Sequence, residues 1–228
     1  MTPLLEYRKS VYSQFGEEGI LEFLINKLQL KNLQICEFGM NEKRNSNTFY
    51  FIENYSSFGV YIEKRSNKIT SLSRSNTLII NKEIELTGEN SLDSILTNTH
   101  LSKDFDILSI DVDNQDYHIW NSLTYYEPKI VIIEINPFIE PDVEYINEGR
   151  RFSSSFLSNI KLGEKKGYKL VCMTGNLIFV KRYLLENTNL SYLLNIKEKS
   201  LYLSDAFLEP DNNRKFNFRR YITPTRIL

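Results

Sequence analysis

Residues 128–135, PKIVIIEI, place apolar side chains at almost every successive position. A strand points alternate residues to opposite faces, so such a run needs cover on both sides, the situation of an interior strand in a parallel sheet walled by helices. The flanking sequence supplies those walls. Short apolar runs at 33–38 (LQICEF), 59–63 (GVYIE), 78–80 and 106–110 (DILSI) alternate with helical spacing at 16–30, 47–55, 91–96 and 117–123. Alternation of this kind specifies a doubly wound α/β sheet. The rhythm then changes: a loop over 136–155 and a helix near 156–166 precede two strands at 168–173 and 177–181. Thr174-Gly175-Asn176 between those strands reads as a tight reversal, which makes the last pair antiparallel.

A chain of 228 residues can bury a sizeable core, and its length suggests one domain with an appended tail. The reading is a domain over 1–182, with 1–30 as an N-terminal helical cap, and a helix and tail over 183–228 packed on it. With 28 Lys and Arg against 29 Asp and Glu, no overall charge steers the molecule to nucleic acid or an anionic membrane. Only the end is locally basic, through Arg214, Lys215, Arg219, Arg220 and Arg226. Cys36 and Cys172 lie in apolar runs and form no disulfide framework, and neither an export signal nor a membrane span is evident. A cytoplasmic protein, acting alone or as a homodimer, is the expectation.

In an open parallel sheet, ligands bind beyond the carboxyl ends of the strands, where strand order reverses. The residues ending these strands are acidic: Glu37 before Gly39, Glu63, Asp111 with Asp113, and Glu134 followed by Asn136. A carboxylate after the second strand suits the two hydroxyls of a ribose, since it offers two acceptor oxygens and no donor. Gly39 lets a ligand approach the backbone. Met40-Asn41-Glu42-Lys43-Arg44 follows, without the second and third glycines of a diphosphate-binding turn. A nucleoside with a zwitterionic tail fits this pattern better than a dinucleotide.

These motifs, in this order, resemble the FkbM-type class I methyltransferases: SQFGEEG at 13–19, CEFG at 36–39, SNT at 46–48, the Glu63 strand end, DFDILSIDVDNQDYHIW at 104–120, IEINP at 133–137 and TGNLIFVKR at 174–182. The resemblance implies a seven-stranded Rossmann-like fold, mostly parallel with a C-terminal antiparallel hairpin, and S-adenosylmethionine as cofactor. It further implies O-methylation of a small molecule or sugar, as in surface polysaccharide or natural-product biosynthesis. By position it assigns Glu37, Gly39, Glu63 and Asp111 to the cofactor, with Gln14 and Asn47 flanking the pocket. The sequence departs from the pattern in the loop after Gly39, where relatives commonly carry a further glycine.

Methyl transfer to a hydroxyl needs alignment and a proton acceptor. The cluster Asp111, Asp113, Asp116 and His118 offers one, and Glu134 is a further candidate. The plainer roles are a solvent-facing His118 and an Asp116 that starts its helix. Asp111, Glu134 and Asn136 also form an oxygen-ligand set for a divalent cation, or else simply hydrogen-bond within a polar crevice. The loop over 136–155, with Arg150 and Arg151, is expected to cover the acceptor, and Trp120 to lie in the core. Two other functions fit parts of the chain. Asp111-Val112-Asp113 is a DxD string of the kind that holds a metal and a nucleotide-sugar, which would make a glycosyltransferase. The missing glycine and the basic end would suit a degenerate domain used for binding or assembly.

Overall fold

The computed structural model describes residues 4–40, 44–65, 70–112, 114–149 and 153–202. Seven strands, β1 Leu33–Phe38, β2 Ser57–Ile62, β3 Thr77–Ile80, β4 Ile107–Ile110, β5 Ile130–Glu134, β6 Tyr168–Met173 and β7 Asn176–Lys181, form one sheet in the order β3-β2-β1-β4-β5-β7-β6. The first five are parallel, and β7 runs antiparallel between β5 and β6. The chain steps outward from β1 to β3, then returns to β4 on the other side of β1. This reversal opens a crevice above the adjacent ends of β1 and β4.

Six helices accompany the strands among the described residues: α1 Glu17–Lys27, α2 Phe49–Asn54, α3 Leu92–Thr97, α4 Asp116–Ser122, α5 Phe156–Lys165 and α6 Arg182–Glu186. The apolar run of β5 sorts by parity. Val131 and Ile133 join one core layer with Leu92, Trp120, Phe156 and Phe179, while Ile130 and Ile132 join the opposite layer with Ile20, Leu24 and Leu185. Both faces are therefore covered, and Ile130 to Ile133 are fully buried. At roughly 25 cal/mol per Å² of apolar surface removed from water, such two-sided burial is the main term holding the sheet.

Helix ends deviate from the sequence expectation for local reasons. The helix expected over 16–30 stops at Lys27 because Gln29 takes a φ of +54°. The one expected over 47–55 starts at Phe49, whose N–H is taken by Ser46 Oγ at 2.9 Å. After β7 come α6 and two 3-10 turns, Ser191–Asn195 and Glu198–Leu201, which bury Leu185, Leu193 and Leu201 against the sheet. Residues 203–228, with their basic cluster, lie outside the described residues.

Candidate active site

A cleft of about 360 Å³ opens at the carboxyl ends of β1, β2, β3 and β4. Phe38 and Gly39 form its floor, and Ile62, Ile84, Val112 and Ile119 give it apolar walls. Its rim is polar, from Glu63, Lys64, Arg65, Lys82 and Glu83 on one side and Asn114 and Gln115 on the other. Lys64 Nζ pairs with Glu83 Oε1 at 2.8 Å across exposed surface.

Glu63 follows directly on β2, with its backbone N–H held by Ile80 O at 3.1 Å. Its Oε1 accepts the Arg65 N–H at 3.0 Å, and Oε2 receives no donor from the described residues. Gly39 has a φ of +86°, and a Cβ there would fall 1.4 Å from the carbonyl oxygen of Asp111. The glycine thus allows the ends of β1 and β4 to touch. That requirement comes from the chain itself, where the sequence suggested only the approach of a ligand.

Glu37 points elsewhere. It is buried behind the cleft, where Oε2 accepts Ser46 Oγ at 2.6 Å and Thr48 Oγ1 at 2.5 Å, and Oε1 accepts Asn47 N at 2.7 Å and Ser109 Oγ at 3.3 Å. Asn47 Nδ2 donates to Ser109 Oγ at 3.1 Å. Burial pushes the Glu37 carboxyl up against the opposing pull of these donors. The carboxylate folds the loop after β1 onto the end of β4. Gln14 is exposed, in a turn whose neighbours Tyr12 N and Ser13 Oγ donate to the buried Glu18 at 2.7 and 3.0 Å.

At the end of β4, Asp116 begins α4 and is buried, accepting Val112 N at 2.8 Å and Asn114 N at 3.3 Å. Ser153 Oγ lies 3.1 Å from Asp116 Oδ2 and 2.7 Å from Glu134 Oε2. One hydroxyl proton serves one carboxylate at a time, and burial pushes the Asp116 carboxyl up against the opposing pull of its Val112, Asn114 and Ser153 donors. His118 lies outside the cleft lining and is partly buried, with Nε2 2.6 Å from Asn147 O. A carbonyl only accepts, so Nε2 carries the proton and Nδ1 is the basic nitrogen.

The described parts of the loop, 136–149 and 153–155, fold back on each other. Asn136 N reaches Ser154 O at 3.0 Å, Ser155 N reaches Tyr145 O at 2.9 Å, and Asn147 Nδ2 donates to Asn114 O at 2.9 Å. Asn136 Oδ1 accepts Phe138 N at 3.0 Å. Among the described residues no group of three or more His, Cys, Asp or Glu is arranged to hold a metal ion. Asp113, Arg150 and Arg151 lie outside the described residues. Trp120 is in the core against Tyr168 and Phe179.

Sequence reasoning had no place for Asn114, Asn147 or Ser153 in the site, nor for the rim residues after β3. Only Ser153 carried a local hint, at the head of a serine run before a helix.

The sequence matches the model of the methyltransferase FkbM domain over residues 8–170, well over half the chain. The chain belongs to the FkbM methyltransferase family. The family carries with it S-adenosylmethionine-dependent methyl transfer, which takes precedence over the DxD string. The seven-stranded 3-2-1-4-5-7-6 sheet with antiparallel β7 has the class I methyltransferase arrangement. Solved structures similar to this FkbM domain include a SAM-dependent methyltransferase from Aquifex aeolicus, at 12% identity and a TM-score of 0.42, covering 73% of this chain and 87% of that one. Human methyltransferase-like protein 13 in complex with SAH is similar at 10% identity and a TM-score of 0.43, covering 86% and 91%. No curated protein matches the sequence.

Proposed function

We propose that the cleft binds S-adenosylmethionine, and that the methyl group passes to a hydroxyl of a small molecule or sugar of the kind found in surface polysaccharide or natural-product biosynthesis. The observation that carries this reading is Glu63: a carboxylate at the end of β2, lining the cleft beside Gly39, with Oε2 open to a ribose hydroxyl. The four apolar walls suit a flat base, and the rim lacks a glycine-rich turn for a diphosphate.

In this assignment Glu63, Gly39 and Asp111 contact the donor, Glu37 and Asn47 hold the loop that shapes its pocket, and Gln14 flanks the entrance. Bound there, the donor supplies an electrophilic methyl on a sulfonium. The chain's own task is to align the acceptor, exclude water with the 136–155 loop and receive a proton. His118 Nδ1, Asp113 and Glu134 are the proposed proton acceptors. A divalent cation on Asp111, Glu134 and Asn136 would acidify the hydroxyl instead, and activity that survives exhaustive chelation would remove it. The buried free thiols of Cys36 and Cys172 support a reducing, cytoplasmic setting, and no described helix is long and apolar enough to cross a membrane. A homodimer and the absence of a nucleic-acid partner complete the proposal.

Calorimetric titration with S-adenosylhomocysteine tests the donor site. Saturable binding by the parent, weakened roughly tenfold or more in Glu63→Ala, is the expected result. Equal affinity in the two proteins removes Glu63 from the site.

A further inference from the structure

The turn before α1 crosses the carboxyl edge of the sheet. At one end Tyr12 O accepts Asn45 N at 2.9 Å, in the loop after β1, and at the other the Phe15 ring packs on Gly175, in the reversal between β6 and β7. In the sheet order β1 and β7 stand three strands apart, about 14 Å at roughly 4.8 Å per step, with β4 and β5 between them. Ser13 and Gln14 therefore lie over the ends of β4 and β5. A cross-strand pair fixes the face as well. Glu134 of β5 is opposite Asn176 of β7, paired residues project to the same face, and Asn176 Nδ2 reaches Glu17 Oε1 at 3.1 Å. Glu134, a proposed proton acceptor, thus stands beside the start of α1, just after Gln14.

Two buried carboxylates hold this turn. Glu18 accepts Val11 N at 2.5 Å, Tyr12 N at 2.7 Å and Ser13 Oγ at 3.0 Å, and Glu17 accepts Phe15 N at 3.0 Å. Burying a carboxylate is unfavourable unless such donors offset it, and both acids are buried to fix a turn at the surface. Of residues 12–16 only Gln14 is exposed, and its carboxamide has no partner among the described residues. Gln14 is also absent from the lining of the methyl-donor cleft, whose walls Ile62, Val112 and Ile119 belong to the core layer opposite α1.

A carboxamide offers an N–H and a carbonyl oxygen side by side, which matches two neighbouring hydroxyls, one accepting and one donating. We propose that Gln14 is a specificity residue for the methyl acceptor, binding adjacent hydroxyls of a sugar held at the ends of β4 and β5. The inference rests on the methyl-transfer reading above. It gives the two buried acids a purpose: they hold the backbone on either side of Gln14 so that its side chain is presented in one place.

The test measures methyl transfer by the full chain from S-adenosylmethionine to a panel of methyl glycosides, each beside its monodeoxy analogues. The parent is expected to methylate a glycoside carrying a vicinal diol, and to lose roughly tenfold in kcat/KM when a hydroxyl bound by Gln14 is removed. Gln14→Ala should raise KM for the complete glycoside by a similar factor, lose nothing further on that deoxy analogue, and bind S-adenosylhomocysteine within about threefold of the parent. Its Tm should match the parent's, because the side chain makes no bond in the fold. An unchanged KM in Gln14→Ala overturns the proposal, and so does a variant that loses the same factor again on every deoxy analogue. Weaker S-adenosylhomocysteine binding with KM unchanged overturns it too, by assigning Gln14 to the methyl donor. A parent that binds S-adenosylhomocysteine but methylates no glycoside overturns the sugar reading, and this assignment with it. A parent that binds no S-adenosylhomocysteine overturns the donor site itself.

Discussion

Glu17 Oε1 accepts the hydroxyl of Thr174 at 2.6 Å, tying the first turn of α1 to the reversal between β6 and β7. The same oxygen accepts Asn176 Nδ2 at 3.1 Å, and Oε2 accepts Phe15 N at 3.0 Å. The carboxylate is fully buried, and the Phe15 ring occupies the space a side chain at Gly175 would need. The N-terminal segment is thus part of the packing of the C-terminal hairpin. Glu17→Ala leaves three donors without their acceptor and is expected to cost roughly 3 kcal/mol. Thr174→Val, which removes the hydroxyl donor and the oxygen that accepts Asn176 N at 3.2 Å, should cost about 1 to 2 kcal/mol. Urea unfolding of the two variants against the parent checks both values. A cost below about 1 kcal/mol for Glu17→Ala would mean that water replaces the lost acceptor.

The sheet was readable because β5 and β1 carry side chains that only a two-sided core accommodates, and because helices of the right spacing fell between them. Glu63 was readable for a related reason: it follows directly on the last residue of an apolar strand, which puts it at the crevice that the strand ends form. Glu37 is an acid near the end of an apolar strand too, the last but one residue of β1, yet its carboxylate turns into the loop formed by Ser46, Asn47 and Thr48. Local spacing cannot separate the two cases, because the difference lies in donors brought by the return of the chain after β1 and by Ser109 on β4. Glu17 and Glu18 likewise look like acids placed at a helix start for its dipole. Their burial follows from contacts with distant Thr174 and with the chain before the helix. The conformation of Asn114, with a φ of +147°, left no mark at all, since nothing in its neighbours calls for a positive φ.

His118 joins α4 to the loop over 136–155 through its bond to Asn147 O. Asn147 also reaches Asn114 O, so this contact helps hold the loop against the β4 end of the cleft. His118→Ala is expected to release the loop, seen as faster cleavage within 136–149 by a protease at low ratio, while S-adenosylhomocysteine affinity changes less than about threefold. His118→Gln, which keeps a donor for the carbonyl, should restore resistance. If it does so without restoring methyl transfer, the imidazole acts on the proton as well as on the loop. Full rescue of turnover by glutamine would leave His118 a tether alone.

Lys166 sits at the far end of the sheet from the cleft, where its Nζ donates to Leu123 O at 2.7 Å in a cavity shared with Trp120, Tyr168 and Lys181. Burial, assisted by the charges of Lys165 and Lys181 and opposed by Asp93, lowers its pKa from 10.5 to about 8. For a base the sign follows directly. Below pH 8 both folded and unfolded chains hold the proton, and this group makes no change in stability with pH. Between about 8 and 10.5 the unfolded chain keeps a proton that the folded one has released, so raising the pH favours the folded state. Lys166→Met abolishes that dependence at the cost of the bond to Leu123. The difference in unfolding free energy, parent minus variant, should therefore be level up to about pH 8 and then grow in the parent's favour as pH rises toward 10. Taking the difference cancels the tyrosines and other lysines that titrate in the same range. A difference that stays level throughout would mean that the folded protein keeps the ammonium, with water reaching the cavity to solvate it.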